Sequence, residues 1–395
     1  MAFTFDQIST ILNTIVQDAT GRTATLAPRN TKEFVAVAET ALAVGMDPIM
    51  NSINQMIGRT IFSVRPYSAG TRLIDMDNLT YGNVVRKITP IFADAAENQP
   101  MFNAQPADGQ STDQYTIKRP QALQTNFSGF SQWEVQAPTV FEDQLRTAFT
   151  GPDQLGEFMA AQMTAVSNEL NSQKEALARN TIANFIGAKL NRGASGPNIK
   201  HVLTDYNTAT GQTTPLTAAD IFKPANFEAF IKWFYSYVND ISDMMTKRSV
   251  LFHEGLTGYT IYRHTPKSMQ RVFMYSLLLR QIQTMALSGI YHDNILAMEN
   301  TVAPMEYWQS MTDRMKVSVD AAYTAADGTR ATGVATQDNI IGLIFDRDAM
   351  GINVNLESVN MTPMNAKGRY YNTFYHFARR HFNDITENAV VFVLD

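Results

Sequence analysis

The longest helical pattern of the chain, residues 153–190, restricts its possible folds more than any other feature. Apolar residues recur there at intervals of three, four and seven, which is the spacing of one face of an α-helix. Gly151-Pro152 opens the pattern, and the linker NRGASGPN (191–198) closes it. At 1.5 Å per residue this helix is a rod of about 57 Å. Because its opposite side is polar, we expect the rod to pack along one stripe only.

Shorter patterns before and after the rod predict both helices and strands. The segment FTFDQISTILNTIV (3–16) begins with the capping pair Thr4 and Gln7 and predicts a helix, as does 31–44. Further predictions are helices at 227–245 and 266–287, buried strands at 249–252 and 339–345, and extended structure from 351 onward. This irregular order is typical of an α+β fold.

Residues 84–149 predict a two-stranded arm. The β-rich flanks NVVRKITPIF (83–92) and GFSQWEVQAPTVF (129–141) enclose a stretch of low hydrophobicity with several prolines. Connections of this length are uncommon inside a compact domain, and an isolated hairpin is only marginally stable. We therefore expect the arm to lie on a neighbouring surface. Trp133 is placed in the arm, away from any large core, and is expected to anchor in a neighbour's pocket.

Charge is scarce in this sequence. Charged residues make up 17% of the chain, against about a quarter in an ordinary globular domain. Interfaces favour aromatic residues, Met and Arg over Lys and Glu, so we expect other chains to cover much of the surface. The net charge of −5 argues against a surface that grips nucleic-acid phosphates. The sequence predicts no membrane span, because no apolar window approaches the length of about 18 residues that a span needs. It predicts no signal peptide either, because no basic stretch precedes an apolar run at the N-terminus.

Catalytic and metal-binding patterns are weak. The absence of cysteine excludes disulfides, thiolate metal sites and cysteine nucleophiles. Asp346 and Asp348 follow a predicted buried strand and could hold a divalent cation, as in a metal-dependent nucleotide-sugar transferase. We favour the simpler interpretation that an aspartate caps the turn after the strand. His376 and His381 fall on opposite faces of a predicted strand, so a role in packing or at an interface is favoured over metal binding. We predict no catalytic residue, no metal and no cofactor.

The end of the chain carries the most specific motif. The segments IIGLIFDRDAMGI (340–352) and NAKGRYYNTFYHFARRHFNDITENAVVF (365–392) resemble the closing pattern of the major capsid protein of tailed bacteriophages (Caudoviricetes), which has the Hong Kong 97 shell fold. The rest of the chain matches that family by the order and length of its segments. The resemblance implies a strand at 369–382 along the rod, called the spine helix in that family. It also implies a last strand at 389–394 beside 339–345.

The same resemblance implies a domain organisation. Its parts are an N-terminal arm (1–58), a peripheral domain (59–83 and 150–199) with the spine helix, an extended β-hairpin loop (84–149), an axial domain (200–350), returning peripheral-domain strands (351–388) and a final axial strand (389–395).

The function that the resemblance implies is structural. Copies would assemble as hexamers and pentamers into an icosahedral shell that encloses double-stranded DNA, in the virion, after assembly in the host bacterial cytoplasm. A portal and decoration proteins are implied partners, and the capped helix near residue 4 leads us to expect a separate scaffolding protein. The alternative within the same fold is an encapsulin-like cellular nanocompartment that encloses enzyme cargo. Some relatives crosslink a lysine to an asparagine, but nothing around Lys87 or Lys118 indicates this chemistry.

Subunit contacts are expected in the extended loop and in the terminal strand. The basic pair Arg379-Arg380 has Asp384 and Glu387 close by, so ion pairing between subunits is favoured over binding of phosphates. The expected contact residues are Lys118, Arg119, Phe130, Trp133, Arg369, Arg379 and Arg380.

Overall fold

The computed structural model describes residues 5–20, 28, 30–44, 47–54, 73–76, 85–91, 121–193, 196–281 and 302–395. Its helices are α1 (Phe5–Thr20), α2 (Thr31–Val44), α3 (47–54), α4 (Glu142–Ala148), α5 (Pro152–Gly193), α6 (Val202–Thr210), α7 (Ala218–Ile221), α8 (Pro224–Met245) and α9 (276–281). Its strands are β1 (Val85–Ile91), β2 (Gln121–Phe127), β3 (Phe130–Gln136), β4 (Val140–Phe141), β5 (Ile199–His201), β6 (Gln270–Tyr275), β7 (Val302–Met305), β8 (Val317–Thr324), β9 (Arg330–Gln337), β10 (Ile340–Asp346), β11 (Met350–Met361), β12 (Tyr370–Tyr371), β13 (Thr373–Asn383) and β14 (Ala389–Val393).

The chain divides into two compact units. The first contains residues 1–81, 129–182 and 351–381, and the second contains 82–128, 183–350 and 382–395. The expected extended loop, 84–149, is therefore shared between the units at residue 129. The long helix α5 begins in the first unit and ends in the second.

The core of the first unit forms between α1, α2, α3, α5 and β13. Apolar side chains of the amphipathic α1 pack into it, as the spacing in the sequence predicts. The same cluster contains Leu155, Met159, Val166 and Leu170 of α5 together with Tyr375 and Phe377 of β13. The predicted terminal strand therefore does pack beside the long helix. Helix α5 itself is confirmed, and it begins one residue before and ends three residues after the predicted bounds.

A three-stranded sheet in the order β11-β13-β3 covers this core. Strand β3 runs antiparallel to β13, from Phe130 opposite Arg380 to Gln136 opposite Phe374. At the end of this pairing Gly129 accepts a hydrogen bond from the His381 amide at 3.2 Å. A Cβ on Gly129 would lie 2.1 Å from the carbonyl oxygen of His381, so only glycine fits here.

The second unit is built on a five-stranded sheet in the order β5-β14-β10-β6-β7. Every residue of β10 is buried, which explains its continuous apolar run in the sequence. Strand β14 pairs antiparallel with β10, with Val391 opposite Leu343. The prediction of a last strand beside 339–345 is therefore confirmed. One face of the sheet packs on α6 and α8, where Phe230, Phe234 and Phe392 share a core.

Two sequence-based predictions in this unit are wrong. Residues 266–287 were expected to be helical, but Gln270–Tyr275 is strand β6, and the helix begins only at residue 276. A buried strand with both faces covered is uniformly apolar and cannot be told from a buried helix by periodicity alone. Residues 249–252 do not form a buried strand either. They make one bridge, between Ser249 and Arg263, and leave Val250 48% exposed.

The end of α5 in the second unit is buried on nearly all sides, and the β8–β9 hairpin covers one of them. Asn184 exchanges two hydrogen bonds with the backbone of Ala322, and Asn191 donates one to the carbonyl of Gly333 at 2.8 Å. Between them lies Gly187, where a Cβ would be 2.5 Å from Val319 Cγ2. The expectation that the helix packs along one stripe only is wrong for this segment. The hairpin contacts a further face of the helix, in addition to the face that packs in the core.

This close packing makes a prediction for Gly187. The variant Gly187→Leu should lower the free energy of unfolding by about 2 kcal/mol, because the added side chain overpacks the hairpin contact despite its better helix propensity. Urea denaturation followed by circular dichroism measures the change. Asn180→Leu, at an exposed position of the same helix, is the matched control and should change stability by less than about 0.5 kcal/mol. Equal behaviour of the two variants would contradict the packing described.

Candidate assembly contacts and the anchored hairpin

Strands β1 and β2 form the base of the predicted arm. They pair antiparallel, from Val85 opposite Phe127 to Ile91 opposite Gln121. The two-stranded arm is confirmed here, but its second strand is 121–127 and not the flank 129–141, which pairs with β13 in the first unit. Residue propensity did not indicate β2, because QALQTNF is mostly polar, as an exposed hairpin strand can be. The residues between the strands, including Lys118 and Arg119, lie outside the described residues.

The base of this hairpin is held by ion pairs to residues 384–388, which we call the C-terminal turn. Lys87 of β1 donates to Asp384 Oδ2 at 2.7 Å and also pairs with Glu387. The side chain of Asp384 is 3% exposed, and that of Lys87 is 23% exposed. The contact is therefore largely withdrawn from water. Removal of one partner would leave the other as an unpaired buried charge.

A second cation, Arg263, joins the hairpin to the same turn. Its guanidinium lies 3.1 Å from Glu387 Oε1 and donates to the Thr386 carbonyl oxygen at 3.1 Å. It also donates to Thr89 Oγ1 on β1 at 3.3 Å. Arg263 thus contacts both the hairpin and the turn. Its planar guanidinium carries several N–H donors and can bind more than one acceptor at once.

A third cation, Lys189 of α5, lies beneath the turn with no exposed surface. Its ammonium donates to three backbone carbonyl oxygens, those of Ile385 at 3.0 Å, Glu387 at 3.2 Å and Phe252 at 3.4 Å. Burial lowers the pKa of Lys189 to about 8, although Glu254, Asp384 and Glu387 favour its charge. Lys189 of α5 therefore binds the main chain of the turn, whereas Lys87 and Arg263 bind the side chains of the turn.

The electrostatics of the cluster favour ion pairing over acid or base chemistry. Burial opposes the charge of Lys87, but Asp384 and Glu387 outweigh this effect and raise its pKa above the ordinary value. Burial likewise works against ionised Asp384, yet Lys87 and Thr386 hold its pKa below the ordinary value. The pKa of Glu387 is raised by burial. A lysine held as ammonium is a poor nucleophile, so Lys87 is poorly suited to covalent crosslinking.

Asp346 adopts the turn-capping role that we favoured over metal binding. Its Oδ1 accepts from the Asp348 amide at 2.9 Å, and its Oδ2 accepts from Thr265 Oγ1 at 2.7 Å. Across the described residues no group of three or more His, Asp or Glu side chains could hold a metal ion. The carboxylate of Asp346 is thus engaged in local hydrogen bonds.

Two of the predicted contact residues in the first unit remain accessible. Phe130, the first residue of β3, is 46% exposed. Arg369 has a side chain that is 54% exposed and pairs with Glu142 at 2.8 Å, and with Asp143 at 3.5 Å, across the β4–β12 contact. It also has a positive φ of 51°, which is uncommon for a residue other than glycine.

The other three described contact residues are engaged within the chain. Trp133 lies on β3 and not in the hairpin, and its ring stacks on Phe377 with centroids 5.5 Å apart. Arg379 is buried and pairs with Glu357 at 2.6 Å. Arg380 is buried and donates to the Asn355 side chain. The premise that placed Trp133 away from any core is wrong, because β3 packs against the core of the first unit.

Sequence reasoning missed the residues that anchor the hairpin. Lys87, Arg263 and Lys189 are far apart along the chain, and no local spacing joins them to the C-terminal turn. The one available signal was FNDITEN (382–388), where Asp384 and Glu387 follow a predicted strand. Two carboxylates that prove to be buried require cationic partners, but only the fold shows which ones.

The chain matches one protein-family model along most of its length and is similar to chains in solved phage structures. Residues 12–393 match the family model described as Phi29-like phage major capsid protein. A chain from the structure of the head fiber and inner core protein gp22 of native bacteriophage P68 has a TM-score of 0.53 at 8% identity, covering 81% of this chain and 83% of that one. A chain from the capsid structure of Staphylococcus phage Andhra has a TM-score of 0.49 at 11% identity, covering 84% and 88%. None of the curated proteins compared matches the chain. No helix within the described ranges is long and apolar enough to cross a membrane.

The hairpin anchor predicts a large local effect at Lys87. The variant Lys87→Met should loosen the β1–β2 base by about 3 kcal/mol, because Asp384 and Glu387 lose a largely buried partner. Hydrogen exchange of the β1 and β2 amides should then be about a hundredfold faster. Lys232→Met removes an exposed pair with Glu228, whose side chains are 70% and 63% exposed, and should cost less than about 0.5 kcal/mol. Unchanged exchange in Lys87→Met would show that the ion pairs do not hold the hairpin.

Lys189 predicts a pH dependence of stability. The unfolded chain holds this proton up to its ordinary pKa of 10.5, whereas the folded chain releases it near 8. The unfolded state therefore binds more protons in this interval, and the contribution of Lys189 to stability rises with pH between about 8 and 10.5. The gain is about 3 kcal/mol. Urea unfolding of the parent chain and of Lys189→Met across this range measures it as a difference, in which other titrating groups cancel. Parallel curves for the two proteins would refute the assignment.

Proposed function

The chain belongs to the Phi29-like phage major capsid protein family, and we propose that its copies assemble as hexamers and pentamers into an icosahedral shell around double-stranded DNA. The match over residues 12–393 is the observation that carries the proposal. The shell-forming role itself, the place in the virion capsid and the α+β Hong Kong 97-like fold follow from the family and from the related phage structures. The resemblance inferred from the end of the sequence is thereby confirmed.

The charge of the chain supports a container that does not grip its contents. A net charge of −5 spread over 395 residues offers no concentrated basic field for phosphates. Packaged DNA that must enter and leave would be hindered by tight binding to the wall. We therefore propose contact with double-stranded DNA without recognition of sequence.

The remaining partners are proposed on family membership alone. They are a separate scaffolding protein, a portal and decoration proteins, with assembly in the cytoplasm of a bacterial host. The division into an N-terminal arm, peripheral domain, extended loop and axial domain at the boundaries given above is likewise proposed for this chain. The family match favours a phage shell over a cellular nanocompartment.

We propose that the chain has no catalytic activity. The aspartate that might have served a transferase, Asp346, is buried and accepts hydrogen bonds from Thr265 and the Asp348 amide. The charged cluster at the C-terminal turn is engaged in ion pairs that hold the hairpin. Both arrangements are those of structural groups.

Among the residues expected at subunit contacts, Phe130 and Arg369 are best placed. Both keep a substantial exposed fraction, while Trp133, Arg379 and Arg380 are engaged within their own chain. We propose that the latter three shape the contact surface through β3 and β13 and do not reach across it. An exposed aromatic such as Phe130 is the type of side chain that anchors interfaces.

The full chain, expressed with its scaffolding protein, should close into shells that electron microscopy resolves into hexamers and pentamers. Phe130→Ser should reduce the yield of shells severalfold with little change in the unfolding of the unassembled chain, because only the contact is lost. Phe377→Ala, in the core of the first unit, is the contrasting control and should destabilise the unassembled chain by about 3 kcal/mol or more. A chain that stays monomeric under all assembly conditions would refute the proposed function.

A further inference from the structure

The two edges of the β8–β9 hairpin differ in whether their outward backbone groups are hydrogen-bonded. On the outer edge of β8, the Gln309 amide donates to the Ser318 carbonyl at 2.8 Å and accepts from the Ser318 N–H at 2.7 Å. Asn184 makes the same pair of bonds with Ala322, at 3.2 and 2.9 Å. Two side-chain amides therefore occupy the backbone groups that a further strand would use on this side. The edge of β8 is closed.

These contacts also establish which groups of β9 point outward. Residues of an antiparallel pair alternate between bonded and non-bonded positions, and Ala322 uses its backbone groups away from β9. Its opposite residue, Thr332, therefore also points its N–H and C=O outward, and Val334 and Thr336 follow by alternation. Within the part of the chain that the structure describes, these three residues have no backbone partner on that side.

Between Thr332 and Thr336, the open edge of β9 carries none of the usual protections, and the nearest charge within the strand is Arg330 at its start. Native edge strands are commonly guarded by lysine, proline or a bulge. The β9 edge instead presents the β-branched residues Thr332, Val334 and Thr336, which favour strand pairing. The pairing with β8 has no bulge between Arg330 and Gln337. Val334 is 75% exposed, more than any other large apolar side chain in the described ranges.

The sequence of β9 is complementary to itself in the antiparallel direction. With Val334 opposite Val334 of a second copy, Thr332 lies opposite Thr336, and Arg330 lies opposite Asp338. Arg330 is exposed, and the Asp338 side chain is still 62% exposed although it pairs with Lys316 of its own chain at 3.1 Å, so Arg330 of one copy would approach Asp338 of the other at both ends of the contact. This charge arrangement identifies a second copy of the chain as the partner that fits.

We propose that β9 pairs antiparallel with β9 of a second copy, centred on Val334, to form a four-stranded sheet across a two-fold axis. The inference rests on the proposed function, since the shell supplies the second copy. About six main-chain hydrogen bonds would form, two at each of the bonded pairs. The two Val334 side chains would cover one another on the outer face of the sheet. Such an interface uses the same patch on both partners, as two-fold contacts do.

Single-cysteine crosslinking tests the register directly, because the chain contains no cysteine. In this pairing the two copies of residue 334 form a bonded pair, with Cα atoms about 5.5 Å apart and Cβ atoms at about the same distance. Because this Cβ distance exceeds that of a relaxed disulfide, assembled Val334→Cys should form covalent dimers with a bifunctional thiol reagent whose linker is a single methylene group. Thr332→Cys should not, because its two copies lie about 13 Å apart. The double variant Thr332→Cys with Thr336→Cys should crosslink again.

The results of crosslinking distinguish this pairing from the proposed function. Shells in which the Val334→Cys chains stay unlinked, or in which the Thr332→Cys chains link as readily, would overturn the pairing and leave the shell function intact. Linked dimers of Val334→Cys without shells would support the pairing and count against the shell. No shells and no dimers would overturn both.

A backbone variant gives an independent readout. Val334→Pro removes the outward N–H without removing any bond to β8, a position where an edge strand tolerates proline. The unassembled variant should fold like the parent by circular dichroism and lose the pairing, whereas Val334→Thr, which keeps the N–H and the branched shape, should retain it. In parent shells the Val334 amide should be protected from hydrogen exchange, while the Ala322 amide is protected both before and after assembly. Parent-like assembly of the folded Val334→Pro chain would refute the proposal.

Discussion

The largely buried ion pairing between Lys87 and the C-terminal turn is the interaction on which the organisation of the second unit depends. The hairpin β1–β2 has little core of its own, so its position follows from what holds its base. Asp384 and Glu387 could not be buried without cations, and the chain supplies these from β1, from the Arg263 segment and from α5. Because the same turn precedes β14, the hairpin and the central sheet are positioned by one set of contacts.

Much of the fold could be predicted because its strongest signals are local. The stripe of α1, the length of α5 and the buried run of β10 each follow from periodicity within a single element. The wrong predictions arose where two structures share one pattern. The apolar residues of 270–275 suit a buried helix as well as a strand between two others, and only the pairing of β6 with β10 decides.

The predicted contact residues were misplaced for a different reason. Trp133 and the pair Arg379-Arg380 looked like surface anchors because aromatic and basic side chains are common at interfaces. Their burial depends on β3 and β13 lying side by side, although these strands are more than two hundred positions apart in the sequence. Conversely, the open edge of β9 has no sequence signature, because the amides that close β8 come from Asn184 on α5 and from Gln309. Edge protection is a property of the folded hairpin, not of its residues alone.

The place of β14 in the sheet has a consequence for how the molecule is made. This strand lies between β5 and β10 and is formed by residues 389–393. The backbone groups of β5 and β10 that face it can therefore pair only after these residues have been synthesised. A nascent chain that has not yet reached these residues, or one cut short before them by a nonsense codon, would present the unsatisfied edges of β5 and β10. The central sheet can therefore close only after translation has passed β14.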